Sequence, residues 1–146
     1  KPVIYSRMRE VGKGTMLQHR KDLLENPKRV GDLLRIALFR GILRVTDFCL
    51  RNVLVDNDGG FVSIDEHDLG KRKTVFGTRE KHLVSLINNS GQVESVVADI
   101  MSAKAEKLKV IKTQMRVHGF SDEEFANVAH NFEDLEDTIR AEGLEW

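Results

Sequence analysis

The first half of the chain contains two stretches in which apolar residues recur at helical spacing. The first covers residues 15–25, and we expect it to end before Pro27, because proline disfavours helical backbone in the residue that precedes it. The apolar positions of the second stretch are Val30, Leu33, Leu34, Ala37, Leu38 and Ile42. Their spacing predicts a helix that buries one face. Gly41 either ends this helix or lets another part of the chain approach it closely.

The pattern then changes to one that is typical of strands. Residues 53–55 and 61–64 are rich in β-branched and aromatic side chains. The five residues between them read Asp-Asn-Asp-Gly-Gly, and an Asp-Gly pair between two such runs is a strong signal for a hairpin turn. We therefore predict one short β-hairpin here.

Helical spacing returns in the second half, over residues 78–88, 92–118 and 121–141. Gly119 is a suitable end for the long middle helix. Ser121 and Glu124 have the spacing of a capping box, which predicts the start of the last helix. The middle helix is rich in lysine and the last is rich in acidic residues, so we expect the two to pack antiparallel with complementary charge.

This order of elements predicts an α+β fold that is mostly helical and has little sheet. A chain of 146 residues suits a single domain. Within it we expect residues 1–14 to be a hinge or strand remnant and residues 15–76 to hold helices, a loop and the hairpin. Residues 77–146 are expected to form a helical subdomain.

Composition narrows the classes of function without choosing one. The 23 basic and 23 acidic residues balance, so nothing in the net charge favours nucleic acid as a partner. One cysteine, Cys49, excludes an intrachain disulfide and is typical of a reducing, intracellular and cytoplasmic setting. No apolar run approaches the ~20 residues that a membrane-spanning helix needs.

Three polar residues near the hairpin have a spacing that indicates a catalytic or metal-binding site. Asp47 follows the predicted buried helix, and Asn52 comes five residues later at the start of the first strand. Asp65 comes thirteen residues after Asn52, at the end of the second strand. This helix, loop and hairpin arrangement resembles the catalytic loop and metal-binding aspartate of the protein-kinase-like superfamily.

The sequence around these residues is more similar to that of atypical kinases than to that of typical protein kinases. The sequence Phe-Arg-Gly-Ile-Leu at 39–43, with Thr-Asp at 46–47, Arg-Asn at 51–52 and Ser-Ile-Asp-Glu at 63–66, is similar to the lipid-kinase-like and actin-fragmin-kinase-like groups. The similarity covers roughly residues 30–70. Glu66 and His67 stand where typical protein kinases have Phe-Gly.

The resemblance implies a role for each of these residues. Asp47 would be the catalytic carboxylate that orients the attacking hydroxyl of the phosphate acceptor. Asn52 and Asp65 would hold Mg²⁺ and, through the metal, the phosphates of ATP. A further set of basic side chains would meet an anionic substrate: Arg51, Lys71, Arg72 and Lys73.

The part of a kinase fold that covers the nucleotide is missing from this pattern. Only 46 residues precede Asp47, which is too few for two helices and a β-rich lobe with a glycine-rich loop. The resemblance therefore implies the C-terminal, catalytic half of a phosphotransferase, completed by a separate lobe or partner chain. Two alternatives remain: an inactive, pseudokinase-like interaction module, and an unrelated helical domain in which Asp47 caps a helix, Asn52 ends a turn and Asp65 closes a strand.

Overall fold

The computed structural model describes residues 15–43, 50–63, 75–76 and 81–146. Three short strands, β1 to β3, cover Thr15–Met16, Val53–Val55 and Phe61–Ser63. Six helices, α1 to α6, cover Pro27–Leu43, Lys81–Asn89, Val93–Ser102, Lys104–Val117, Asp122–Glu133 and Leu135–Ala141. Three 3-10 segments add Leu17–His19, Lys21–Glu25 and Leu50–Asn52. The described chain is mostly helical with a small antiparallel sheet, which confirms the predicted α+β class.

Helix α1 is the element around which the others pack. The apolar positions that predicted it are buried, and α2, α3, α5, α6 and β3 all contact it. Pro27 is its first residue, where proline's fixed φ suits a helix and its missing N–H is not needed. The side-chain oxygen of Asn26 accepts a hydrogen bond from the Lys28 N–H at 3.0 Å and so caps the helix.

The sheet has β2 at its centre, with β1 and β3 antiparallel on either side. Strands β2 and β3 form the predicted hairpin, with Val53 opposite Ser63 and Val55 opposite Phe61. In the turn, the Asp56 carboxylate accepts hydrogen bonds from two backbone N–H groups, and Gly59 adopts a φ of 80°, which favours glycine. The hairpin prediction is therefore confirmed.

Residues 15–25 are not the α-helix that their pattern predicted. They form β1 and two 3-10 segments, and β1 adds a third strand at the edge of β2. Leu17 and Leu24 are the fully buried side chains of this stretch, while Met16 is exposed. Two buried positions are too few to hold an α-helix against the core, so pairing with β2 decides the conformation.

The long helix predicted over residues 92–118 is broken at Ala103 into α3 and α4. The apolar stripe of α3 ends at Ile100, and the next positions on that stripe are Lys104 and Lys107. A straight helix would hold both ammonium groups against the core, at a high desolvation cost. The break instead lets Lys104 form an ion pair with Glu133.

Helices α4 and α5 form the antiparallel, oppositely charged pair that the sequence predicted. Lys104 at the start of α4 meets Glu133 at the end of α5, and Arg116 near the other end lies 3.4 Å from Asp122. Ser121 and Glu124 form both hydrogen bonds of the capping box. The predicted final helix is interrupted at Asp134, so that α5 and α6 are separate.

One hydrophobic cluster connects the described elements from Leu17 to Leu144. It includes buried side chains of the 3-10 segments, β2 and all six helices. None of the helices in the described ranges is both long and apolar enough to cross a membrane. The predicted remnant at residues 1–14 and the predicted start of α2 at residue 78 lie outside those ranges.

Candidate functional site

The described structure contains two of the residues that the sequence singled out. Asn52 is the last residue of the 3-10 segment before β2, and its side chain is buried. Arg51, beside it, is exposed. The other predicted site residues lie outside the described residues: Asp47, Asp65, Lys71, Arg72 and Lys73.

The register of the hairpin brings the two halves of the motif together. Val53, which directly follows Asn52, lies opposite Ser63 in the antiparallel ladder. Ser63 is the last residue of β3, and Asp65 follows it two positions later in the sequence. The segment that carries Asn52 and the strand that leads to Asp65 are therefore neighbours in space.

A buried arginine, to which the sequence assigned no role, supports the end of β3. The Arg40 side chain is 1% exposed, and its Nη1 donates a hydrogen bond to the Ser63 hydroxyl oxygen at 2.8 Å. A guanidinium in the interior is costly unless it is hydrogen-bonded, so this contact ties α1 firmly to β3. The sequence held a signal for it, since Arg40 falls on the same helical face as Leu33 and Ala37.

The next residue of α1 supports a second segment of the chain. A Cβ atom placed on Gly41 would lie 2.5 Å from a methyl group of Val75. Gly41 is inside α1, so of its two predicted roles the close approach is confirmed, and the approaching group is the Val75 side chain. The Glu142 carboxylate accepts hydrogen bonds from the Val75 and Phe76 N–H groups at 2.8 and 2.7 Å.

Consecutive residues of α1 therefore hold the two ends of residues 64–74. Ser63 is bonded to Arg40, and Val75 packs on Gly41. This stretch of sequence includes Asp65 and the basic run at 71–73. The residues that flank this stretch on either side therefore lie beside the C-terminal half of α1.

The described residues contain one of the two predicted metal ligands. An asparagine side-chain oxygen is a ligand type that Mg²⁺ accepts, and the burial of Asn52 restricts the positions that this oxygen can occupy. Within the described ranges, no three His, Cys, Asp or Glu side chains come together as a metal-binding group. Asp47 and Asp65 are not in those ranges, so the predicted pair of ligands stays a prediction.

Comparison with known proteins adds no relative to this picture. No protein-family model matches the chain, and no curated protein or solved structure is significantly similar to it. An interpretation of its function therefore depends on its own residues and their positions.

Proposed function

We propose that the chain is the catalytic half of a kinase-like phosphotransferase, which transfers a phosphoryl group from Mg²⁺-bound ATP to a hydroxyl of its substrate. The observation that carries this proposal is the pairing of Val53 with Ser63. It supports a shared metal site because the strand after Asn52 runs beside the strand before Asp65. The order of elements, with the buried helix α1 before the β2–β3 hairpin, supports the comparison with a kinase C-terminal lobe.

Chain connectivity adds a limit on distance. Two residues of extended chain span at most about 7 Å, so the Cα of Asp65 cannot be farther than that from the Cα of Ser63. Directly paired Cα atoms in an antiparallel ladder are about 5 Å apart. With the ~3.8 Å between consecutive Cα atoms, these lengths give an upper limit of about 16 Å between the Cα atoms of Asn52 and Asp65, which permits a shared Mg²⁺ site.

The chemistry divides among the residues as follows. Asn52 and Asp65 would hold Mg²⁺ through oxygen atoms, and the bound metal would supply charge neutralisation for the ATP phosphates. Asp47 orients the acceptor hydroxyl and accepts its proton, while the oxygen forms a bond to the γ-phosphorus and the bond to the β-phosphate oxygen breaks. Arg51 and the basic run at 71–73 attract an anionic substrate.

A lobe that covers the nucleotide completes the site and comes from another segment or a partner chain. Phosphoryl transfer depends mostly on positioning and charge neutralisation. Because only one of the two nucleotide-binding lobes is in this chain, the nucleotide should bind weakly. We expect this chain alone to bind Mg²⁺-ATP weakly and to transfer phosphate slowly. The pseudokinase-like alternative predicts that it transfers none, even when a partner restores binding.

Calorimetric titration with ATP, in the presence and absence of Mg²⁺, tests the proposal. We expect weak, Mg²⁺-dependent binding that Asp65→Ala and Asn52→Ala each reduce about tenfold or more, a loss of ~1.4 kcal/mol. The matched control is Asp58→Asn, which removes an exposed carboxylate from the same hairpin and should not change the affinity.

Three outcomes would count against the proposal. Binding that survives Asp65→Ala and Asn52→Ala would contradict the site. Equal losses in Asp58→Asn would indicate a general charge effect instead of a metal site. Binding that does not depend on Mg²⁺ would contradict the predicted role of Asn52 and Asp65. Circular dichroism of each variant separates loss of binding from loss of fold.

A further inference from the structure

A cavity of about 260 Å³ opens at the surface between α1, α3, α4 and the end of β3. Its lining residues are Arg35, Ile36, Phe39, Ile42, Ser63, Ile100 and Lys107. Four of these side chains are apolar, and they come from α1 and α3. The cavity thus has an apolar interior with two cationic side chains around it.

The cavity lies at the break between α3 and α4. Ile100 lies just before the break and Lys107 just after it, and both face α1 across the gap. On the α1 side, Phe39 keeps 38% of its surface exposed, although Leu38 and Ile42 beside it are buried. A large aromatic side chain left half open beside an apolar gap is a site where a ligand can gain burial.

The two cations differ in how far their charge is already satisfied. Arg35 donates to the Asp99 carboxylate at 2.7 Å. Lys107 makes no ion pair with a carboxylate in the part of the chain that the structure describes, whereas Lys104 on the same helix pairs with Glu133. The charge available to a ligand is therefore that of Lys107.

We propose that this cavity binds a small anionic amphiphile: a carboxylate attached to an apolar chain or ring. The apolar part packs on Ile36, Phe39 and Ile100, and the carboxylate accepts hydrogen bonds from the Lys107 ammonium. At roughly 30 Å³ for each water-sized group, the cavity holds on the order of ten non-hydrogen atoms. This size indicates a medium-chain or small aromatic acid, since sites for drug-sized molecules start at about 300 Å³.

The charge around the cavity selects this class of ligand over others of the same size. No carboxylate is among the described residues that line the cavity, and a cationic ligand would be repelled by Lys107 and Arg35. A neutral chain of equal length would fill the cavity without using the ammonium group. Binding of this ligand requires neither ATP nor Mg²⁺, so it can be tested independently of the proposed phosphoryl transfer.

Titration of isotope-labelled protein with sodium octanoate, followed by NMR, tests the proposal. We expect a dissociation constant between high micromolar and millimolar, as is usual for a ligand of this size, with the largest shifts at Phe39, Ile100 and Lys107. Lys107→Gln should weaken octanoate binding about three- to tenfold. Phe39→Ala, a change at a half-exposed position, should weaken it several-fold through lost apolar contact.

The matched control is Lys109→Gln, which removes the same charge from an exposed position of α4 outside the cavity. It should leave octanoate affinity unchanged. Equal losses in the two lysine variants, or equal affinity for octanol and octanoate, would overturn the proposal. Shifts elsewhere than the cavity, or no binding at millimolar octanoate, would overturn it as well.

Discussion

Two glycines in the interior of α1 meet different neighbours. A Cβ atom on Gly41 would overlap Val75, a β-branched side chain held in place by its own backbone contact with Glu142. A Cβ atom on Gly31 would come 3.1 Å from the end of the Gln92 side chain, which can turn aside. Both positions are helical, so alanine has the same local preference at each.

We therefore expect opposite effects from the same substitution. Gly41→Ala should lower the free energy of unfolding by about 1–3 kcal/mol, because the new methyl group overfills a packed contact. Gly31→Ala should be neutral or raise it by up to about 1 kcal/mol, because alanine favours helix. Urea unfolding of both variants provides the measurement. Equal stabilisation by both would show that Val75 does not pack on Gly41.

Local signals at single residues were readable from the sequence, and distant partners were not. The capping box at Ser121 and Glu124 is a local pattern of this kind, and the place of Gly41 in an apolar pattern narrowed its role to two. Glu142 could not be matched to Val75, because the two are 67 positions apart and no local pattern links them. The Arg40 contact with Ser63 likewise depends on tertiary packing.

Among the elements, the hairpin and α1 were predictable because each rests on a strong local pattern. The stretch at residues 15–25 was not, because its conformation depends on the open edge of β2. The break at Ala103 was missed because its residues favour helix on both sides. The positions of Lys104 and Lys107 on the apolar stripe were the available signal, and Lys107 also lines the cavity.

The segment after α6 connects three elements through polar contacts. Glu142 holds the backbone at residues 75–76, and the Asn88 side chain on α2 donates to the Gly143 carbonyl oxygen at 2.9 Å. Asn88 also accepts a hydrogen bond from the Glu145 N–H at 3.0 Å. The Arg140 guanidinium stacks 4.0 Å from the centre of the Trp146 ring. This segment therefore fixes the chain that follows the predicted site.

Glu142→Gln should loosen that attachment. An amide has one acceptor oxygen where the carboxylate has two, so one of the Val75 and Phe76 N–H groups loses its partner. We expect a loss of about 1–2 kcal/mol in the free energy of unfolding and faster hydrogen exchange at these two amides. Glu145→Gln is the matched control, since its exposed side chain should tolerate the change. Unchanged exchange in Glu142→Gln would contradict the attachment.

For the molecule as a whole, the described hydrophobic cluster joins the two regions that the sequence separated. Residues 15–76 contribute α1 and β2, and residues 77–146 contribute all the other helices. Helix α1 packs against β3 of its own region and against helices of the other region. Separating the two regions would therefore expose apolar surface that is now buried, so we expect them to unfold together. The candidate site was predictable as a set of spaced polar residues, while its support by α1 and Glu142 required the packed structure.

We expect the chain to unfold in one cooperative transition. Far-UV circular dichroism and the fluorescence of Trp146, the one tryptophan, should give the same urea midpoint. Leu38→Ala, at a fully buried position of α1, should lower the free energy of unfolding by about 2–5 kcal/mol. Both urea midpoints should therefore fall together. The exposed position Val110 serves as the control, with Val110→Ala expected to change little. Two separate transitions would support independent subdomains.

The neighbouring attachments of Ser63 and Val75 on α1 also bear on how such a protein can evolve. The eleven residues between them start and finish at adjacent helix positions, so additions to this stretch need not displace either end. Doubling the length of a flexible loop costs only about 0.6 kcal/mol in closure entropy. An insertion between Ser63 and Val75 should therefore cost less stability than a change in the buried face of α1, so length in this stretch is free to vary among descendants of the same fold.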